Sequence, residues 1–79
     1  MPKRWVKLTF PGSLIKKPVT FQVAVKHQLT ANIRRAKVTA TAGELVLELI
    51  GTQPNLEKGL KAFAAKGVRV EPVVGNILE

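Results

Sequence analysis

One histidine, five glutamates, and neither aspartate nor cysteine make up the acid–base and metal-ligating chemistry of this 79-residue chain. His27 stands alone near an expected helix end, where a solvated or capping role suits it better than that of a general base. The glutamates are scattered. Glu44 and Glu48 share parity on one strand but lie four residues apart, too far for a carboxylate pair in acid–base catalysis. Without aspartate no Ser/His/Asp set can form. Without cysteine there are no disulfides or thiolate ligands, and a single histidine leaves a metal ion short of donors. Glycines occur singly, so a phosphate-cradling loop is missing. The chain reads as a non-enzyme with no cofactor.

Binding remains. Thirteen Lys+Arg against five Asp+Glu give a net charge of +8, a field that draws nucleic acid or an acidic protein partner. The basic residues are spread along the chain, and only Arg34-Arg35-Ala36-Lys37 concentrates them. A solvated charged surface is therefore the simpler account of the excess. No apolar run approaches the roughly 20 residues of a membrane helix. The basic start Met1-Pro2-Lys3-Arg4 leads into a stretch broken by Lys7 and Pro11-Gly12, which is not a signal peptide. A cytoplasmic protein without membrane insertion is the expectation.

The elements that must position any binding residues follow from periodicity. Val6, Leu8 and Phe10 alternate with Lys7 and Thr9, which predicts a half-buried strand. Pro18 opens a helix whose apolar face is expected to hold Phe21, Ala24, Val25 and Leu29. Residues 31–41, rich in Val, Ile and Thr, predict a second strand. Ile33 and Val38 have opposite parity, so both can face one side only with a bulge near Arg34-Arg35. Ala42-Gly43 is expected to make a tight turn, with glycine at positive φ. Leu45, Leu47 and Leu49 then alternate with Val46, Glu48 and Ile50 in the clearest strand. Thr52 to Asn55 signals a helix start, Leu56, Leu60, Phe63 and Ala64 its apolar stripe, and Gly67 its stop. Val68 and Val70 form a short last strand ending at Pro72.

This order predicts an α+β, ferredoxin-like split βαβ sandwich (βαββαβ). It is a four-stranded antiparallel sheet with two helices on one face. Residues 1–79 make one domain, with a core over 4–73 and an apolar tail, 74–79, that covers a sheet edge or packs on a neighbour. The first and third strands are central. Their outer face carries Trp5, Lys7 and Thr9 beside Val46, Glu48 and Ile50, with Arg35 and Lys37 along one border. An open face holding Trp5, Val46 and Ile50 predicts a surface covered by another subunit, a partner or the apolar tail. RNA-recognition modules share this fold but stack bases on aromatics of both central strands. Here only Trp5 could stack, and Glu48 would repel phosphate. That leaves nucleic acid at most a nonspecific contact with Arg34, Arg35 and Lys37.

The segments "VKLTFPG", "KPV", "LTANI", "GELVLELIG" and "LEKGLKAFAAKGVRVE", in this order and spacing, resemble the NIL domain. That family is a small regulatory module similar in shape to amino-acid-sensing ACT domains. NIL domains sit at the end of ATP-binding subunits of methionine importers, where they bind the amino acid and lower transport. They also occur beside ferredoxin segments and as small proteins. The resemblance implies a dimeric regulatory module with an amino-acid ligand at or near the dimer interface. The family's Asn-Ile-Leu triplet at the second strand stands here as Asn32-Ile33-Arg34, so Asn32 is the implied ligand contact and Ile33 an apolar wall. Arg34 replaces part of that wall by a cation. A literal Asn76-Ile77-Leu78 falls in the tail, away from the matching position. Beside this reading stands a protein-interaction adaptor whose basic strand captures an acidic partner.

Overall fold

The computed structural model describes residues 2–15 and 17–73. Strand β1 (Lys3–Pro11) leads through a 3-10 turn (Gly12–Leu14) into helix α1 (Val19–Lys26). The hairpin strands β2 (Thr30–Val38) and β3 (Ala42–Ile50), helix α2 (Gln53–Ala65) and strand β4 (Arg69–Pro72) follow. The sheet order is β2-β3-β1-β4, antiparallel throughout, so β1 and β3 are central as the split βαβ order predicted. Both helices lie on one face. This is the ferredoxin-like α+β sandwich. The apolar tail 74–79 lies outside the described residues.

Burial explains the central strands. Val6 pairs with Leu47, Leu8 with Leu45 and Phe10 with Gly43, and these side chains look toward the helices. Val6, Leu8, Leu47, Leu49, Leu56 and Phe63 are almost wholly withdrawn from water. Each contributes about 1.5–3 kcal/mol. The parity conflict in β2 is resolved where the residues required it. The register slips between Ile33 and Arg35, and beyond the slip Val38 returns to the side that Ile33 occupies.

Both helices end by the same device. After α2, Gly67 takes φ +92°, its N–H donates to the Ala64 carbonyl (3.0 Å), and Val68 N–H reaches back to the Phe63 carbonyl (3.1 Å). After α1, Gln28 takes φ +56°, its N–H donates to Val25 (3.3 Å), and Leu29 N–H reaches the Ala24 carbonyl (2.8 Å). Each Schellman closure drops an apolar residue, Val68 or Leu29, into the core. At the other end of α2, the Thr52 hydroxyl accepts from Asn55 N–H at 3.2 Å, with Pro54 in the first turn.

Two expectations need correction. The hairpin turn is Thr39–Thr41 rather than Ala42-Gly43. The Thr39 hydroxyl accepts from Thr41 and Ala42 N–H and donates to the Ala42 carbonyl, closing the turn. Gly43 is thereby drawn into β3 between Phe10 and Val38. The buried face of α1 is Val19, Val23 and Ala24, while Phe21 and Val25 are 69% and 60% exposed. At Gly59 of α2 a side chain would press on Leu29 at 2.5 Å, whereas Val23 would stand at an ordinary 3.8 Å, so the glycine makes room for Leu29 beneath α1. Helix α1 rolls toward α2, and its opposite flank is left over the β2 edge.

Candidate functional site

Pairing turns the outer sheet face into a grid of side chains. One rung holds Lys3, Ile50 and Thr30, the next Trp5, Glu48 and Asn32, the next Lys7, Val46 and Arg35. The bulge adds Arg34 to this same side, because two residues of β2 there face a single step of β3. Seven of the eight residues singled out from sequence, Trp5, Asn32, Arg34, Arg35, Lys37, Val46 and Ile50, therefore belong to one face. Ile33 is the exception. It pairs with buried Leu47 and looks to the helix side, opposite to its neighbour Asn32.

The centre of that face is Glu48. Its residue is only 6% exposed although no helix covers it. Asn32 Nδ2 donates to Glu48 Oε1 at 3.2 Å, and Lys3 Nζ stands 3.6 Å from Oε2. A withdrawn carboxylate needs such donors, since burying an uncompensated charge is costly. Beside it the Arg34 guanidinium lies 5.4 Å from the centre of the Trp5 ring, a cation–π contact that covers part of the indole. Toward the hairpin, Lys7 and Glu44 pair at 3.6 Å. The Glu48 partnership was not drawn from the sequence, though the hairpin register, once set, brings residues 32 and 48 opposite each other.

In chemical terms this centre offers a carboxylate for a cation, and two cations, Lys3 and Arg34, for an anion. The Asn32 amide still has one N–H and a carbonyl oxygen to share. Apolar ground flanks it at Val46, Ile50 and Trp5, all half-buried. Among the described residues, no group of three or more acidic or histidine side chains could hold a metal ion. No described helix is long and apolar enough to cross a membrane.

A second feature opens on the other side of β2. A groove of about 530 Å³ runs between α1 and the strand edge, walled by Phe10, Leu14, Phe21, Val25, Ile33 and Val38. Among the described residues, the four exposed large apolar side chains all border it: Phe21, Val25, Ile33 (57%) and Val38 (64%). Its polar lining is slight, chiefly Lys17, Thr20 and Glu44.

Comparison with known proteins gives one family and one fold. The profile of the NIL domain family matches residues 4–72. The crystal structure of the C-terminal domain of an ABC transporter ATP-binding protein from Enterococcus faecalis superposes with a TM-score of 0.78. The two chains are 21% identical, and the match covers 92% of this chain and 86% of that one. No curated protein matches the chain.

Proposed function

The chain belongs to the NIL domain family, and on that premise we propose that it is a non-catalytic regulatory module that senses an amino acid on its outer sheet face. The observation that carries this reading is the convergence of Asn32 and Lys3 on the withdrawn Glu48 carboxylate, beside the Arg34–Trp5 pair. A free amino acid is a zwitterion with one variable side chain. Its ammonium group suits Glu48 and the Asn32 carbonyl oxygen, and its carboxylate suits Arg34 or Lys3. Its side chain would lie on Val46, Ile50 or the indole. A flat sheet face holds a small ligand weakly alone, because pockets bury most of a ligand's surface. A second copy laid over Trp5, Val46 and Ile50 would supply the missing wall and bury apolar ground that water now touches. The functional unit of this reading is a homodimer with the ligand between its sheets.

A thermal-shift panel of the twenty amino acids tests it. Ligand at 100 times its dissociation constant stabilises by about 2.7 kcal/mol. Each kcal/mol moves the midpoint of so small a domain by about 4–8 °C. The expected result is a rise with one amino acid or a chemically similar group, lost in Glu48→Gln and Asn32→Ala, with a dimer by light scattering. A flat panel overturns the sensor reading, and a ligand-bound monomer overturns the shared site.

A further inference from the structure

The edge of β2 remains unexplained by a ligand on the outer face. β2 is the first strand of the sheet order, so among the described residues no other strand pairs with the backbone groups on its far side. It is nine residues long, whereas β4 at the opposite edge has four and ends at Pro72. The two rows of side chains along this edge differ sharply. Toward the helices, Ile33 and Val38 are exposed and, with Phe21 and Val25 of α1, border the apolar groove. Toward the outer face stand Arg34, Arg35 and Lys37, and the strand has no acidic residue. Among the described residues, none of these three cations has a carboxylate partner at ion-pair distance. The described pairs are Lys3–Glu48, Lys7–Glu44 and Arg69–Glu71.

We propose that the β2 edge docks an extended, acidic peptide segment of a partner protein, which adds to the sheet as a further strand. Strand addition draws affinity from main-chain hydrogen bonds and specificity from alternate side chains. A peptide alternating apolar and acidic residues fits both rows: the apolar side chains enter the groove, and the carboxylates reach Arg35 and Lys37. Lys17 at the groove wall adds a further cation, while Glu44 is already engaged by Lys7. Charge also decides against a second copy. A second β2 strand would bring the same basic residues and no carboxylate to meet Arg35 and Lys37. Basic side chains and a bulge are common guards of an open edge. Here they turn away indiscriminate strands and admit one that brings carboxylates.

The probe is a capped synthetic peptide, Val-Glu-Val-Glu-Val-Glu-Val, titrated into the isotope-labelled domain with backbone amides followed by NMR. A Val-Lys counterpart serves as the charge control, and two versions N-methylated on alternate residues block one backbone edge each. The expected result is saturable binding of the acidic peptide, with amide shifts concentrated in β2 and loss of binding for at least one N-methylated version. Arg35→Glu/Lys37→Glu should weaken it about tenfold, as two exposed ion pairs would, and should let the lysine peptide bind. Phe21→Ala should weaken both; because Phe21 is exposed, the fold should survive. The proposal is overturned if the acidic peptide does not bind, if the lysine peptide binds the native domain equally, or if neither N-methylated version loses affinity. A single-stranded oligonucleotide that shifts the β2 amides where the acidic peptide does not, or a dimer that Arg35→Glu/Lys37→Glu dissociates, would also overturn it, giving the edge to phosphate or to a second copy.

Discussion

Replacing Gly59 by alanine tests whether Leu29 is the pin that seats α1. A Cβ at Gly59 would stand 2.5 Å from Leu29 Cδ1, and one at Gly51 would stand 2.5 Å from Leu29 Cδ2. Ordinary carbon contacts lie near 3.5–4.0 Å, so a displacement of about 1 Å is required. The isobutyl group cannot yield to one side without pressing the other. Overpacking of this kind costs about 1–3 kcal/mol. Against it stands the gain of removing glycine from a helix interior, about 1 kcal/mol. The net effect in the native background is thus from about zero to 2 kcal/mol of destabilisation. Leu29→Ala by itself should cost about 2–5 kcal/mol through the cavity it leaves. In that background the clash is gone, only the propensity gain remains, and Gly59→Ala should stabilise by about 1 kcal/mol. A change of sign is the signature. Denaturant unfolding of the four proteins in a double-mutant cycle reads it directly. Gly59→Ala that stabilises the native domain as much as the Leu29→Ala variant would refute the clamp, and with it the account of why Phe21 and Val25 face the groove.

Three further outcomes follow from single contacts. Gln28→Gly removes the left-handed strain of a side chain at φ +56° and should stabilise by about 0.5–1 kcal/mol after the added freedom of the unfolded chain is counted, seen as a higher urea midpoint. Thr52→Ala strips the cap from Asn55 N–H and should cost about 1 kcal/mol in the same assay, with Thr52→Asn close to native. Asn32→Ala removes a donor to a withdrawn carboxylate and should cost about 1.5–3 kcal/mol. Asn32→Asp, nearly isosteric, should be worse at neutral pH because it sets a second negative charge beside Glu48; equal or greater stability would contradict the assigned hydrogen bond.

The fold was legible because its signals are repetitive. Three leucines of β3 and the apolar run of β1 each alternate with polar residues, and α2 carries a cap, an apolar stripe and a glycine stop. Helix α1 was harder to read. Its eight residues include valines at both 19 and 23 as well as at 25, so two apolar faces compete, and spacing alone cannot choose between them. The choice is made by packing against α2, where Gly59 admits Leu29. The hairpin turn was misplaced for a related reason: Ala42-Gly43 is a good local turn, but the Thr39 hydroxyl closes one three residues earlier. Of the candidate site, the shared outer face of Trp5, Val46 and Ile50 follows from parity. That Asn32 and Ile33 part company also follows from parity. The carboxylate that Asn32 meets depends on the hairpin register, which the misplaced turn obscured.

The bulge at Arg34 gives that register its sharpest test. Losing one residue from inside a strand normally throws every later side chain onto the wrong face. Here it should not. Ile33 already pairs with Leu47 and Arg35 with Val46, so a chain lacking one of the two arginines can run as an unbroken ladder, with Lys37 still outward and Val38 still against the groove. What it loses is the guanidinium over Trp5, worth about 0.5–1 kcal/mol at an exposed site, together with the added local twist. Deleting Ala36 instead can also straighten the strand, but only by turning an arginine inward opposite Leu45, where the groove is apolar. The two deletions remove one residue each from the same strand, yet the first should leave a cooperatively folding domain with redder indole emission and the second should be much less stable. Equal loss from both would mean that the extra residue is absorbed elsewhere in β2, and that the pairing of Arg35 with Val46 does not set the face on which the basic residues stand.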